Sequence, residues 1–353
     1  MKLLMKKVKC LFVTIVNGRL DIQKKLDNYM LDYKNIFEQL INKTQKYLED
    51  NHIYTMILGI SGGIDSTVTA AICSEIEKRN PENFKFYGIS LPCTSNSDDE
   101  NNSANTCMKA FCKEGQYWTE NLQKEFMLMK ATCSQHHSPT TIGQGNIKAR
   151  LRMIYLYDLA NYTSGIVMDT DNLTEHYLGF FTIHGDVADL NPIGGLWKHE
   201  VYELAKYIRD KYEYDMKHTP MNPDSFDWVD DTNIREDYEN KIKALDHALN
   251  IIPTDGNGVN DLGDMGQIAP QFANDNNYEA YKKVDDIIQT YLEYRGHHHE
   301  EYQIAIDELH KKYPPLIDND YVVQDSVNDV ISRIKRTEYK RKGLPVVIDI
   351  DKD

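Results

Sequence analysis

No CxxC pair occurs among the six cysteines, Cys10, Cys73, Cys93, Cys107, Cys112 and Cys133. A thiolate zinc site or a dithiol redox motif of the usual spacing is therefore excluded, and the thiols are read as reduced, as in a cytoplasmic protein. No apolar run approaches the ~18 residues that suggest a membrane helix. Lysines followed by Leu11–Val16 imitate a secretion signal, but the apolar part is short and no small-residue cleavage site follows. Positive charge is scarce: 40 Lys and Arg stand against 55 Asp and Glu, a net charge of −15. That balance argues against a general nucleic-acid binder, which needs clustered cations to neutralise phosphates. It also means that anionic substrates must be met by a few well-placed cations. With 41% hydrophobic and 27% charged residues in 353, the chain has the composition of a globular protein of one large or two smaller domains.

The stretch Tyr54–Ala70, YTMILGISGGIDSTVTA, organises the rest. Tyr54–Ile60 has the composition of a buried strand. Ser61-Gly62-Gly63 forms a turn, and Asp65-Ser66-Thr67 opens an amphipathic helix. Adjacent glycines let the backbone turn sharply and approach a ligand. Unpaired N–H groups at a helix start favour phosphate oxygens, and Asp65 stands where a carboxylate could hold a magnesium ion against them. The loop lacks the lysine of GxxxxGK[ST]. SGGIDS instead resembles the loop of enzymes that cleave ATP to AMP and pyrophosphate.

Alternation continues. A helix is expected over Asp27–Asp50, strands over Phe84–Leu91, Gln116–Leu122 and Ile166–Met168, and helices over Gln144–Asn161 and Asp231–Leu249. In Gln144–Asn161, Ile147, Leu151, Ile154 and Leu159 form one stripe and Asn146, Arg150, Met153 and Tyr157 another. Thr174 is a candidate cap for the helix after Asp169-Thr170-Asp171-Asn172. Strands alternating with helices imply a doubly wound parallel α/β sheet, five strands being expected, with helices on both faces. His297-His298-His299 lacks ligand spacing and reads as a linker.

Seven motifs follow in order: SGGIDS (Ser61–Ser66), NIKARLRM (Asn146–Met153), DTDNLTE (Asp169–Glu175), GFFTIHGD (Gly179–Asp186), DLNPIGGLWK (Asp189–Lys198), PTDGNG (Pro253–Gly258) and TEYKRKGLP (Thr337–Pro345). Together they resemble the NAD synthetase family, of adenine nucleotide alpha hydrolase-like fold. The resemblance implies an extension over 1–34, a synthetase domain over 35–353 and an insertion at about 215–250. It further implies amidation of deamido-NAD to NAD. The nicotinate carboxylate attacks ATP to give an NAD-adenylate and pyrophosphate, and ammonia then displaces AMP. Members that use glutamine carry a glutaminase domain ahead of the loop; only Met1–Leu58 precede it here, so the ammonia-dependent form is expected.

The family also implies roles. Gly59, Ile60, Ser61, Gly62, Gly63, Ile64, Asp65 and Ser66, with Thr170, Lys198 and Thr254, would bind ATP. Asp65 and Glu175 would hold Mg2+. Arg150, His184, Asp189, Tyr339 and Lys340 would bind deamido-NAD, with Arg152 structural. Asp186 would be catalytic, receiving ammonium or its proton. A homodimer is expected, because the family shares the deamido-NAD site across subunits. One departure stands out: the family's FFTK lysine is Ile183 here, with His184 beside it. Rival readings are another ATP-pyrophosphatase ligase and a nucleotide-binding regulator without turnover.

Overall fold

A parallel sheet in the order β3-β2-β1-β4 forms the centre, built from β1 (Thr55–Gly59), β2 (Lys85–Ser90), β3 (Tyr117–Thr119) and β4 (Ile166–Val167). This computed structural model describes residues 32–93, 97–218, 231–251, 269–272, 275–318 and 321–341. The strands expected from sequence are all present, each shorter than its apolar run. The fifth strand position is reduced to a single parallel bridge between Met168 and Leu190. The segment there, Asp189-Leu190-Asn191-Pro192, meets a proline, which cannot donate to a ladder.

Strand side chains alternate between faces. Met56 and Leu58 enter one apolar cluster and Ile57 the other. On the first face lie α1 (Tyr33–Asp50), α2 (Ile64–Arg79) and α3 (Asp98–Phe111), together with α7 (Lys198–His218). Across the sheet, Leu156 and Ala160 of α5 (Thr141–Thr163) pack on Ile57, Ile89 and Val167. In α5, Leu151, Met153 and Leu159 pack inward, whereas Ile154 is 65% exposed. The inward stripe is thus rotated by about one residue from the expected one. Between β3 and α5 runs α4 (Gln123–Cys133), and β4 leads into the short α6 (Leu173–Leu178).

The helix of the expected insertion is α8 (Asp231–Asn250), which packs on α7, α3 and α2 and buries Ala244, Leu245 and Ala248. Then follow α9 (Asn277–Tyr294), α10 (His299–Lys312), an antiparallel hairpin of β5 (Leu316–Asp318) and β6 (Tyr321–Gln324), and α11 (Ser326–Arg336). A 3-10 turn over Glu338–Arg341 ends the described chain. From β1 the chain winds outward to β3 and then crosses back to β4 on the other side of β1. A topological switch point therefore lies between β1 and β4, and the crevice at the strands' carboxyl ends is where such sheets hold ligands.

Candidate active site

A cleft of about 460 Å³ opens at that switch point. Its floor is Gly59, Ile60 and Ser61 after β1, with Asp65 and Ser66 from the first turn of α2. The turn is tight for steric reasons. Gly62 has φ of 83°, and a Cβ there would stand 2.4 Å from the backbone nitrogen of Ala104 and 2.8 Å from Ser103 Cβ. The Gly62 carbonyl accepts a bond of 2.8 Å from the Ser103 hydroxyl, which pins the loop to α3. Gly63 is the extended N-cap of α2 and offers no side-chain cap. Ser66 Oγ lies 3.1 Å from both the Gly63 carbonyl and Ser61 Oγ. Ile64 is instead in the core, 1% exposed. The loop thus presents backbone around an open helix start, the arrangement that receives phosphate.

Beside the loop, α6 and α7 deliver two further charges. Asn172, not Thr174, is the N-cap of α6: its side chain accepts from Glu175 N while Glu175 reaches back to Asn172 N, a capping box. Asn172 Nδ2 also donates to Asp65 Oδ1 at 3.0 Å. Lys198, the first residue of α7, is only 1% exposed, and its Nζ donates to Asp65 Oδ2 and, at 2.9 Å, to Glu175 Oε1. A solvated lysine at a helix start is therefore excluded. Burial alone would lower the Lys198 ammonium, but Asp65 and Glu175 hold it well above its ordinary range. Burial pushes the Glu175 carboxyl up to about 7, against the pull of Lys198 and with the push of Asp65.

Carboxylates crowd the β4 side. Asp171 lies well above the usual range because of burial and the charges of Asp169, Glu175, Asp186 and Asp65. Asp186 lines the cleft and keeps contact with solvent; the surrounding protein, with Asp169 nearby, pushes it up to about 6. Its Oδ1 accepts from Thr182 N at 2.6 Å. Thr170 lines the same wall.

The residues expected to meet the dinucleotide are placed differently. Lys340 lines the cleft, its Nζ donating to the carbonyls of Gly179, at 2.7 Å, and Phe181. Arg150 is exposed, outside the lining, and donates to the Ile183 carbonyl at 3.0 Å. Asp189 also lies outside it and accepts from Val167 N at 3.1 Å and from the Tyr157 hydroxyl at 2.8 Å, which ties β4 to α5. Tyr339 is 59% exposed and His184 is an exposed residue at φ 58°; neither lines the cleft. Thr254 lies outside the described residues. Contrary to expectation, Arg152 rather than Arg150 is in the wall, with Nε donating to the Leu91 carbonyl at 3.0 Å.

Arg333 of α11 also lines the cleft, held by a 3.0 Å bond to the Leu178 carbonyl and lying 5.5 Å from the Phe180 ring centroid. Sequence reading passed over it. Lys340 follows it by seven residues, but in the 3-10 turn beyond the end of α11, so no helical periodicity in the sequence joined the two.

The donor set fits a magnesium ion. Asp65 and Glu175 offer hard oxygens to the cleft, and with Lys198 between them two carboxylates and one ammonium leave one net negative charge. Among the described residues no three His, Cys, Asp or Glu side chains gather to hold a metal alone. No helix among the described residues is long and apolar enough to cross a membrane.

The family model described as NAD synthase matches residues 36–250. An NH(3)-dependent NAD(+) synthetase of Campylobacter jejuni subsp. doylei is 32% identical over 192 residues, 54% of this chain and 73% of that one. One of Methanocaldococcus jannaschii is 33% identical over 229 residues, 61% and 81% of the two chains. Among solved structures, an NMN synthetase from Francisella tularensis aligns with a TM-score of 0.61 at 21% identity, covering 91% of this chain and all of that one. The last likeness concerns the fold.

Proposed function

Because the chain belongs to the NAD synthase family, we propose that it is a ligase that amidates deamido-NAD to NAD with ATP and ammonia, passing through an NAD-adenylate. One observation carries the reading. The phosphate-type loop, Asp65 and Glu175 bridged by the buried Lys198, Asp186 and Lys340 meet at one cleft at the switch point of the sheet; Lys198 itself does not line it.

A carboxylate does not react with ammonia directly, since oxide would have to leave. The loop N–H groups and the start of α2 receive the triphosphate. Lys198 holds Asp65 and Glu175 in register and offsets their charge. These two carboxylates would hold magnesium, which would neutralise charge on the phosphates and stabilise the departing pyrophosphate. Lys340 and Arg333 supply positive charge at the far wall for the acidic substrate. Asp186, pushed up to about 6, is suited to take a proton from ammonium as it enters the acyl site. A homodimer is supported by exposed apolar side chains on two neighbouring helices: Met127, Leu128 and Met129 of α4, and Ile142, Ile154 and Tyr162 of α5. The cytoplasm is the compartment that fits reduced thiols.

A second reading, that the acid amidated is the smaller nicotinic acid mononucleotide, is favoured by a specific observation. Of the five residues expected to bind the dinucleotide, only Lys340 lines the cleft. The test is one assay with both acids. Purified protein, ATP, magnesium and ammonium should convert deamido-NAD to NAD with one AMP per turnover. A kcat/KM higher for the mononucleotide would install the second reading, and neither amide formed would defeat both.

A further inference from the structure

Asp285 on α9 is buried to 0% exposure, yet it carries a carboxylate. Its Oδ1 accepts a short bond from the Thr174 hydroxyl. Its Oδ2 accepts from His199 N at 3.1 Å and lies 2.7 Å from His199 Nδ1. The Thr174 hydroxyl in turn accepts from Lys198 N at 2.9 Å. A hydroxyl both donates and accepts, so Thr174 links Asp285 to the first N–H of α7 without leaving a polar atom unmatched. Facing a carboxylate, Nδ1 of His199 is the protonated nitrogen, which fixes the ring.

The two elements joined in this way are the ones that carry the charge cluster. Thr174 immediately precedes Glu175 on α6, and His199 immediately follows Lys198 on α7. One buried carboxylate from a third helix therefore ties the residue beside each member of the Lys198–Glu175 pair. A purely apolar contact between the helix ends would bury area but would not fix their spacing to a few tenths of an ångström. Burying a carboxylate is costly unless every oxygen is matched; here both are.

We propose that Asp285 is a positioning residue: acting through Thr174 and His199, it sets the distance between the Lys198 ammonium and the Glu175 carboxylate, and so builds the seat for magnesium-bound nucleotide. The inference deepens the reading of the site given above and rests on it.

The test is titration calorimetry of the full chain with magnesium and the non-hydrolysable ATP analogue AMPCPP, which needs no turnover. Asp285→Asn keeps volume and one oxygen but turns N–H groups toward His199. It is expected to weaken binding at least fivefold while the protein stays folded by circular dichroism. Thr174→Val, which removes the link, should match it, and Thr174→Ser, which restores the hydroxyl, should bind within twofold of the parent. The double variant Asp285→Asn/Thr174→Val should be no weaker than the weaker single variant by more than twofold, because both cut one chain of bonds. Steady-state assays should show kcat falling with KM for the pyridine nucleotide within twofold. A folded Asp285→Asn that binds the analogue like the parent, a Thr174→Ser no better than Thr174→Val, or fully additive losses would each overturn the proposal. A parent protein that binds the analogue but forms no amide would defeat the ligase reading while leaving the role of Asp285 decided by the binding data.

Discussion

The two ends of the cleft are built differently. At the phosphate end, each charged group meets another: Lys198 bridges Asp65 and Glu175, Asn172 ties Asp65 to the α6 cap, and Asp285 ties α6 to α7. At the end proposed for the pyridine of the substrate, the pyridine end, the cations are bonded to carbonyls: Arg150 to Ile183, Arg152 to Leu91, Arg333 to Leu178, and Lys340 to Gly179 and Phe181. Carbonyl bonds orient a cation, and the carboxylates that act on Lys340, Asp186 and Asp171, do so from across the cleft rather than as bonded partners. The first end is a preorganised charge cluster that gains by rigidity; at the second, Arg152, Arg333 and Lys340 line the wall and Arg150 stands outside it.

The largest effect should come from breaking the first end at its centre. Lys198→Met keeps the length of the side chain and leaves Asp65 and Glu175 facing each other without their cation. Removing one partner of a buried pair costs about 3–5 kcal/mol, to be read from urea denaturation. Turnover should fall by about three orders of magnitude, well beyond the effect of any single change at the pyridine end. Stability should also gain a pH signature. Glu175 titrates at about 7 in the fold, above its ordinary 4.5, so the folded state binds the extra proton. Its contribution is full below about 4.5 and is lost as pH rises through about 7; loss of Lys198 should move the upper limit higher. A Lys198→Met protein as stable and active as its parent would dissolve the distinction between the ends.

Asp186→Asn comes next and asks where the chemistry divides. If Asp186 serves the ammonia step alone, pyrophosphate release in a single turnover should continue while amide formation slows by about 10²–10³-fold. The acid limb of the parent's rate profile, falling below about pH 6 where Asp186 takes its proton, should vanish in the variant. Equal slowing of both steps would place Asp186 with the phosphate cluster.

How much of this was legible in the sequence follows the same division. The strand, glycine turn and helix around Ser61–Ser66 were readable because a short local motif fixes its own geometry; Asp65, Glu175 and Lys198 lie far apart in sequence, and only the family resemblance named them. The parallel direction of the strands followed from alternating periodicities, whereas their order and number did not. Arg150 and Arg152 were not separable in the same way. They sit two positions apart on α5, about 200° around the helix, and the stripe came out rotated because Ile154 faces solvent while the sequence pattern put it inward. Asp189 matches a family pattern, but it is spent on Val167 N and Tyr157. Only three-dimensional structure shows such a competing partner. Arg333 was missed because it contacts the cleft from a helix distant in sequence.

The pyridine end supplies a sharper, smaller contrast. Arg333→Gln should raise KM for the acidic substrate about tenfold with KM for ATP little changed, since one charge-assisted bond is worth ~1.5–3 kcal/mol before screening. Arg150→Gln, outside the cleft wall, should shift it less than about threefold. Reversed magnitudes would return Arg150 to the site.

The smallest effect concerns the missing lysine. Ile183 offers no cation, and its neighbour His184 is the nearest substitute in sequence. His184, however, is exposed, sits at φ 58° and lies outside the cleft lining. A non-glycine residue in this left-handed region is held at a cost of about 1 kcal/mol, which glycine avoids, although glycine gives back ~0.5–1 kcal/mol through the freedom of the unfolded chain. His184→Gly should therefore leave the melting temperature unchanged or slightly raised, and the KM for deamido-NAD within twofold. A tenfold rise in that KM with stability intact would mean that His184 swings into the cleft to take the lysine's place. The pyridine end would then organise on binding, and the contrast with the rigid phosphate end would be one of timing as well as charge.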